Sequence, residues 1–409
     1  MFDRTQWFLA GMSIALSVQL SQPVVAVVPV GKVVQTAQTN SSDAAEKALN
    51  EGLELYQQGT AQAKRSAIVK FEQALKLYRE AGERTLEARA LNNIGLVYSE
   101  LGEKQKALEY YSQSLPLRRA TADRGGEATT LNNIGGVYSD LGEKQKALEY
   151  YSQSLALRRA IADRSGEANT LNNIGSVYSD LGEQQKALEY YSQSLPLFRA
   201  IGDRSGEANT LNNIGLVYSQ LGEKQKALEY YSQSLPIFRA TGDRRGEATT
   251  LTNIGLVYSD LGEKQKALEY YSQSLPLSRA TGDRRGEAIT LTNIGLVYSD
   301  LGEKQKALEY YSQSLPLFRA VGERRGEAGT LNNIGLVYSD LGEKQKALEY
   351  YSQSLPLSRA VGNRGGEANT LNNIGGVYDE LGEKQKALEY YSQSLPLSRA
   401  VSNRGGEAT

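Results

Sequence analysis

The chain has 409 residues, of which 46 are basic, 47 are acidic and 26 are tyrosine, and it contains neither cysteine nor histidine. The missing residue types exclude disulfides, thiolate nucleophiles, Ser-His-Asp and Cys-His catalytic arrangements and the usual zinc sites. We therefore expect that the protein is not an enzyme and has no catalytic residue, cofactor or metal site. A formal net charge of −1 gives no electrostatic basis for nucleic-acid binding, so we also expect no nucleic-acid partner.

The first 26 residues have the organisation of a secretory signal peptide. Arg4 and the amino terminus precede an apolar stretch of 14 residues, Trp7 to Leu20, which is shorter than the roughly 20 residues needed to span a bilayer. Small residues at Val24 and Ala26 suit a signal peptidase, so residues 1–26 are predicted to be removed. The sequence thus predicts an exported protein, periplasmic or extracellular, with no stable membrane insertion after cleavage. An uncleaved anchor is the alternative.

The next two segments lead into a repeat array. Residues 27–42 are predicted to be a linker. Residues 43–82 are predicted to form a divergent helix pair, whose first helix covers about Asp43 to Gln57. Its second helix places Phe71 40 residues before Tyr111 of the first regular unit, and a divergent first pair is typical of an N-terminal cap.

Residues 83–402 form eight units with a period of 40 residues, marked by the segment LGEKQKALEYYSQSL or a close copy. Each unit contains two helical patterns. The first, helix A, has residues of one face at offsets of 0, 3, 4, 7 and 10: Leu251, Ile254, Gly255, Tyr258 and Leu261. The second, helix B, has them at 0, 4, 7 and 8: Ala267, Tyr271, Ser274 and Leu275.

Glycines and an aspartate mark the ends of these helices. Gly262 is predicted to end helix A, Gly282 to end helix B, and Asp283 to cap the next helix A. Gly255 and Ala267 lie on the buried faces, where small side chains allow the two backbones to approach closely. Acidic and basic residues cancel within a unit, so no stripe of one charge is expected.

The spacing of Leu251, Gly255, Tyr258, Ala267 and Tyr271 resembles the tetratricopeptide repeat (TPR). The period of 40 residues resembles the longer variant of kinesin light chains and Pins-type scaffolds, and also exported bacterial TPR arrays. The resemblance covers about residues 43–409. It implies an all-α fold, a TPR α-solenoid, which is a right-handed superhelix of helix–turn–helix repeats. It also implies a non-catalytic scaffold that binds a protein or an extended peptide.

In this family the A helices line the concave surface, which places two polar columns before each Ile-Gly step on that surface. Amide side chains both donate and accept hydrogen bonds, so they suit the backbone of an extended peptide. The alternative is that they join neighbouring repeats. Tyrosine pairs such as Tyr110 and Tyr111 are expected to pack in the core and between repeats. The predicted peptide-binding residues are Asn92, Asn93, Asn132, Asn133, Asn172, Asn173, Asn212, Asn213, Asn253, Asn293, Asn332, Asn333, Asn372 and Asn373; Thr252 and Thr292 replace asparagine in the first column.

Further positions on helix A complete the predicted groove. The residues one turn after the first column, such as Leu96 and Leu256, would add an apolar strip, and Ser99, Glu100 and Asp140 would contribute to its rim. In helix B, proline at Pro276 and equivalent positions is predicted to kink a continuous helix. A break with a restart at proline is the alternative.

The C-terminal residues 403–409 are predicted to begin a further repeat, which leaves the apolar face of the last helix B, including Leu388 and Leu395, uncovered. This end suggests two alternatives to a self-sufficient scaffold. The chain could be the sensor half of a larger protein, because similar exported bacterial arrays often continue into a caspase-like peptidase domain. It could also be a structural element that self-associates through the uncovered face.

Overall fold

The computed structural model describes the backbone of residues 31–406 and the side chains of residues 42–400. Within these ranges the chain forms eighteen α-helices and no strand, which confirms the all-α prediction. No helix in the described part of the chain is long and apolar enough to span a bilayer. The predicted signal peptide, residues 1–26, lies outside the described residues.

The helices alternate strictly between A and B types. The first pair consists of α1 (Gly31–Gln57) and α2 (Ala61–Ala81). The A helices of the eight units are α3 (Arg84–Glu100), α5 (Arg124–Asp140), α7 (Arg164–Asp180), α9 (Arg204–Gln220), α11 (Arg244–Asp260), α13 (Arg284–Asp300), α15 (Arg324–Asp340) and α17 (Arg364–Glu380). The B helices are α4 (Lys104–Ala120), α6 (Lys144–Ala160), α8 (Gln184–Ile201), α10 (Lys224–Thr241), α12 (Lys264–Ala280), α14 (Lys304–Ala320), α16 (Lys344–Ala360) and α18 (Lys384–Gly406).

The chain divides into two compact units, Met1–Val177 and Tyr178–Thr409, and the division falls inside α7. In the second unit, each A helix packs against the B helix that follows it, and that B helix packs against the next A helix. Successive A helices, such as α11 and α13, also contact each other directly. The first unit repeats this arrangement from α1 to α6.

The predicted linker is partly helical. Helix α1 begins at Gly31, so residues 31–42 extend the first helix of the N-terminal pair instead of forming an irregular segment, and the predicted start at Asp43 is wrong. The sequence between Lys32 and Asp43 contains neither proline nor glycine, so nothing in it terminates a helix.

The predicted turns are confirmed. Gly262 and Gly282 adopt φ values of +79° and +65°, the left-handed region in which glycine has no steric penalty. Asp283 accepts a hydrogen bond from the backbone N–H of Gly286 at 3.0 Å and so caps α13. Ala122 and Ala162 replace glycine at two B-helix ends and still adopt φ values of 54° and 55°, at a cost of about 1–2 kcal/mol each.

The glycine of helix A makes room for a tyrosine ring. A Cβ atom on Gly255 would lie 2.6 Å from Cε1 of Tyr271, so the group that approaches this backbone is the Tyr271 side chain and not the backbone of helix B. Gly52 and Phe71 repeat the contact in the N-terminal pair. The divergent pair therefore packs like the regular units.

A buried serine joins the two helices of each unit. Ser274, fully buried in α12, donates its hydroxyl hydrogen to the carbonyl oxygen of Ala248 in α11 at 2.8 Å. A polar residue can occupy this core position because its hydroxyl group has a partner. Ser114, Ser234 and Ser394 make the same bond in their own units.

The B helices run through their prolines. Helix α12 continues from Lys264 to Ala280 across Pro276, and α6, which has Ala156 at this position, also has 17 residues. Pro276 and Ser272 are both exposed, so the Ser272 carbonyl that loses its intrahelical partner remains accessible to water. A continuous helix, and not a break, is thus observed.

The last B helix continues where a new repeat was predicted. Helix α18 runs to Gly406, so the predicted start of a further helix A at residues 403–409 is wrong for residues 403–406. Ser402 stands where Gly362 ends the preceding B helix, and serine adopts a left-handed conformation less readily than glycine. Leu388 and Leu395 are 61% and 51% exposed.

Candidate functional site

The two asparagine columns connect neighbouring A helices. Oδ1 of Asn92 accepts hydrogen bonds from Nδ2 of Asn133 at 3.3 Å and from Oγ1 of Thr130 at 3.2 Å. Asn132 accepts in the same way from Asn173 and Thr170. In the second compact unit, the corresponding acceptors are Asn212 for Asn253 and Thr250, and Asn332 for Asn373 and Thr370.

Threonine in the first column makes an equivalent link. The Thr252 hydroxyl lies 2.7 Å from Oγ of Ser274 and 3.0 Å from Oγ1 of Thr290 in the next unit. Thr292 contacts Ser314 and Thr330 in the same manner. At these positions the polar groups join repeats, and peptide binding by the columns stays a prediction.

The remaining predicted residues differ in exposure. Asn172 is buried, whereas Asn213, Asn293 and Asn333 are half-buried and Asn372 is exposed. All fourteen predicted asparagines lie on A helices. The columns therefore follow the face along which successive A helices meet, and only part of each amide is accessible.

One asparagine lacks its link. Asn93 is 3% exposed, and its Nδ2 has no hydrogen-bond partner. Leu49 precedes Gly52 by three residues, as Asn92 precedes Gly95, so an apolar side chain occupies the position of the amide acceptor in α1. The end of the array thus leaves one buried donor unsatisfied.

This difference predicts unequal costs for the same substitution. Asn133→Ala removes a hydrogen bond and is expected to lower the free energy of unfolding by about 1 kcal/mol, whereas Asn93→Ala removes an unpaired buried donor and should be neutral or stabilising. Urea denaturation followed by circular dichroism measures both. Equal losses in the two variants would contradict the linking role of the second column.

In five of the B helices, the lysine that begins the helix contacts the end of the following A helix. Lys104 forms an ion pair with Asp140 at 2.5 Å and donates to the Ser99 carbonyl at 2.9 Å. In the second compact unit, Lys264 pairs with Asp300 in the same way. Glu100 accepts from the Tyr56 hydroxyl at 2.5 Å and pairs with Lys64. Of the predicted rim residues, Glu100 and Asp140 are thus engaged in contacts between repeats, and Ser99 contacts the next helix of its own repeat.

One junction replaces both partners of this ion pair. Gln184 stands in the lysine position and Gln220 in the aspartate position. Oε1 of Gln184 is buried without a partner, and Oε1 of Gln220 accepts from Ser179 at 3.4 Å. Because glutamine replaces both the lysine and the aspartate, neither position keeps a charge without its opposite charge.

We expect the two positions to be energetically coupled. The variant Gln184→Lys/Gln220→Asp should be more stable than the sum of the two single variants predicts, by about 0.5–1 kcal/mol, because only the double variant restores the ion pair. A double-mutant cycle in urea at low and high salt measures the coupling. Additive single effects at low salt would contradict it.

The tyrosine pairs pack as expected. In each regular unit a helix A tyrosine stacks on a helix B tyrosine, as Tyr98 stacks on Tyr110 with ring centroids 5.5 Å apart, and Lys106 lies 5.0 Å from the Tyr98 ring. Burial, together with Glu72, raises the pKa of Tyr110 to about 12, so this hydroxyl stays protonated at neutral pH. No group of three or more acidic side chains that could hold a metal ion occurs among the described residues.

The interior helix A positions whose residues differ from one repeat to the next lie on one face of the helix. This face includes more positions than the asparagine columns. Between residues 123 and 402, helix A varies at four interior positions and at its last two residues, and is otherwise identical. In the second 40-residue repeat, residues 123–162, the interior positions are Gly125, Thr129, Asn132 and Gly136. Their spacings of 4, 3 and 4 residues place them on one face of the helix. We call these positions and their equivalents every 40 residues the A-helix stripe.

The exposed side of helix B shows the opposite behaviour. Residues 145–155 are identical in all eight units, although Gln145, Glu149, Ser152 and Gln153 are exposed. Surface substitutions usually change stability by less than about 0.5 kcal/mol, so fold stability alone would permit variation on both surfaces. Variation is nevertheless present on the A-helix stripe and absent from residues 145–155.

Within the second compact unit, three consecutive repeats carry a distinct version of this stripe. Its first position is arginine, and its last is leucine: Arg245, Arg285, Arg325, Leu256, Leu296 and Leu336. The arginines are exposed, and the leucines are 39%, 37% and 41% exposed. The predicted apolar strip is thus present here, but the expectation that no stripe of one charge exists is wrong, because balance within a repeat does not distribute the charges evenly over its faces.

Comparison with known proteins gives the family of the chain. The tetratricopeptide repeat model matches residues 64–120, 126–200, 166–240, 206–280, 246–320 and 326–400, and no curated protein matches the chain. Three solved structures share the fold at low identity.

The apo quorum sensor NprR from B. thuringiensis is 18% identical, with a TM-score of 0.61 and coverage of 89% of this chain and 99% of that chain. The Rap conjugation regulator of plasmid pLS20, solved with the Phr* peptide, is 13% identical, with a TM-score of 0.58 and coverage of 89% and 96%. The STAND protein PH0952 from Pyrococcus horikoshii, which has a tetratricopeptide repeat sensor, is 16% identical, with a TM-score of 0.63 and coverage of 90% and 55%. With its repeats matched along most of its length and its helix pairs arranged as an α-solenoid, the chain belongs to the tetratricopeptide repeat family.

Proposed function

We propose that the chain is a non-catalytic scaffold that binds a segment of another protein along the A-helix stripe. The observation that carries this proposal is the contrast between the two surfaces of the repeat. The stripe varies from repeat to repeat, whereas residues 145–155 of helix B and their equivalents, several of which are exposed, do not. A surface that contacts a ligand of non-repeating sequence needs different side chains in successive units, and a surface that contacts only solvent does not.

The stripe also has the chemical properties of a binding surface. It combines exposed leucines with the amides and hydroxyls of the first asparagine and threonine column, and the second asparagine column lies beside it. Apolar side chains supply most of the binding energy at protein interfaces, and the surrounding polar groups fix orientation. One neighbour in the same fold was solved with a peptide and another is a quorum sensor, which supports a peptide or protein as the type of partner.

Selection from a random 12-residue peptide library on the 409-residue chain tests the proposal. The variant Leu256→Ser/Leu296→Ser/Leu336→Ser should weaken binding of the selected peptides at least about tenfold, because it removes most of the apolar contact. Serine already occupies this position as Ser176, so the fold should tolerate it. The control Gln273→Ala/Gln313→Ala/Gln353→Ala alters exposed positions of helix B and should bind normally. Equal binding by both variants would refute the stripe as the binding surface.

We further propose that the protein is exported. The basis is the apolar segment from Trp7 to Leu20 followed by small residues at Val24 and Ala26. N-terminal sequencing of the chain recovered from the producing cells should find Val27 at the amino terminus. An intact Met1 in the cell interior would contradict export.

A further inference from the structure

The three repeats between residues 243 and 362 differ from their neighbours in charge and apolarity. Resting on the proposed function, we propose that their part of the A-helix stripe binds an acidic peptide segment that also carries a run of apolar residues. Arg245, Arg285 and Arg325 contact its carboxylates, and Leu256, Leu296 and Leu336 contact its apolar side chains.

The arginines are positioned to meet an external anion. Each is the second residue of an A helix, and each is exposed. Arg245 lies 3.7 Å from a carboxylate oxygen of Asp283, which also caps α13. Within the described part of the chain, Arg285 and Arg325 have no ion-pair or hydrogen-bond partner. Two of the three guanidinium groups are therefore fully available to a ligand.

The position of these arginines is unfavourable for the isolated helix. The N-terminal end of a helix carries partial positive charge, so a cation in its first turn is destabilising. The equivalent residues in other repeats are the neutral Gly125, Ser165, Ser205 and Gly365. Arginine thus replaces a neutral residue in three successive repeats against the preference of the helix, which indicates that the charge serves binding.

The leucines define the second half of the subsite. Leu256 follows Arg245 by 11 residues on the same helix face, which corresponds to roughly 16 Å at 1.5 Å per residue. An extended chain covers that distance with about five residues at 3.3 Å each. The ligand should therefore carry acidic residues separated by about five positions from its apolar residues.

A peptide fits these observations better than a nucleic acid. Three arginines can contact phosphates as well as carboxylates, but the exposed leucines have no partner on a phosphate backbone. The chain as a whole has a formal net charge of −1, which disfavours binding to a polyanion. An oligonucleotide is therefore the comparison ligand in the test.

The test measures binding of fluorescein-labelled synthetic peptides to the 409-residue chain by fluorescence polarisation. The probe is EEESGSGSLLL, whose five-residue spacer matches the separation of the two subsites. The matched peptides are QQQSGSGSLLL, which lacks the charges, and EEELLL, which lacks the spacer. Both should bind at least about tenfold more weakly than the probe. The uncharged peptide cannot pair with the arginines, and the peptide without a spacer cannot reach the arginines and the leucines at the same time. A labelled 12-residue poly-dT oligonucleotide tests the alternative.

Two variants distinguish a specific contribution of the three arginines from a general effect of removing three positive charges. Arg245→Ser/Arg285→Ser/Arg325→Ser introduces the residue found at Ser165 and Ser205, and it should weaken probe binding about tenfold or more without lowering Tm. The control Lys226→Gln/Lys266→Gln/Lys306→Gln removes the same charge from exposed helix B positions of three successive repeats, two of which also carry the arginines, and should bind the probe normally. Equal weakening in both variants, or oligonucleotide binding as tight as that of the probe, would overturn the proposal.

Failure of this inference can be distinguished from failure of the proposed function. The same chains are tested against peptides selected from the random library. If the selected peptides are not acidic, and bind the arginine variant normally but the Leu256→Ser/Leu296→Ser/Leu336→Ser variant weakly, the scaffold function stands and the acidic subsite does not. If no selected peptide depends on the stripe, both fail.

Discussion

Replacing Tyr271 with alanine is expected to lower the free energy of unfolding by about 3–5 kcal/mol, the range for removing a large buried aromatic side chain. Tyr271 is fully buried, and its ring lies directly on the backbone of Gly255. No side chain on helix A can fill the cavity, because the residue opposite the ring is glycine.

Phenylalanine at the same position should have the opposite effect. The Tyr271 hydroxyl is buried without a hydrogen-bond partner, and burial raises its pKa. Tyr271→Phe keeps the ring and removes the unsatisfied group, so it should be neutral or stabilising by up to about 1 kcal/mol. Phe71 already occupies the equivalent site against Gly52.

Urea denaturation and native-state hydrogen exchange measure both variants. In a repeat protein the loss should be greatest near the substitution, because each repeat contacts only its neighbours. The fastest additional exchange is therefore expected in α11, α12 and α13. A Tyr271→Ala variant as stable as Tyr271→Phe would show that the ring does not hold the two helices together.

Gly246→Ala and Gly286→Ala are expected to differ although the two glycines are equivalent by sequence. A Cβ atom at Gly246 would overlap the buried ring of Phe238, whereas at Gly286 the corresponding neighbour is Ser278, whose Oγ would lie 3.4 Å away. Each new Cβ would also approach the aspartate that caps its helix, at 2.8 Å and 2.7 Å, so this second contact is matched.

The expected change is a loss of about 1–3 kcal/mol for Gly246→Ala from overpacking. Gly286→Ala should be neutral or stabilising by up to about 1 kcal/mol, because alanine favours a helix and the close neighbour that must shift is the end of the Asp283 side chain, not a buried ring. Chemical denaturation of the two single variants, of Phe238→Ser and of Phe238→Ser/Gly246→Ala gives the comparison. If Gly246→Ala costs as much in the Phe238→Ser background as it does with Phe238 present, contact with the ring is not the cause of the loss.

The local features of the repeat could be predicted because their determinants lie within one unit. Gly262, Gly282 and Asp283 mark helix ends by intrinsic backbone preference and capping chemistry. Their positions in the sequence are therefore sufficient to predict where α11 and α12 end and where α13 begins.

Contacts between neighbouring repeats are harder to predict, because they depend on how the helices of the two repeats are aligned. The bond from Asn133 to Asn92 crosses 41 residues, and the ion pair from Lys104 to Asp140 crosses 36. The sequence placed the asparagine columns on the correct helices but could not decide between ligand contact and repeat contact. As a result, replacing first-column asparagines is a poor test of binding, since it also breaks links between repeats.

The charged part of the stripe was missed for a different reason. Arg245, Arg285 and Arg325 are balanced by acidic residues in the sum over each repeat, yet two of the acids nearest to Arg245 in the sequence have other partners: Glu247 pairs with Arg239, and Asp260 pairs with Lys224. A sum over the sequence does not show which charges share a face. Comparing units position by position would have shown it.

The identity of residues 145–155 in all eight units also has a consequence for folding. An A helix cannot recognise its own B helix by complementarity, because every B helix offers nearly the same surface. Only the short connection between the two, such as Leu261 to Glu263, makes the correct partner the nearest one. At high concentration, helices of different molecules should therefore exchange, and refolding yield should fall with concentration more steeply than for an array of dissimilar repeats.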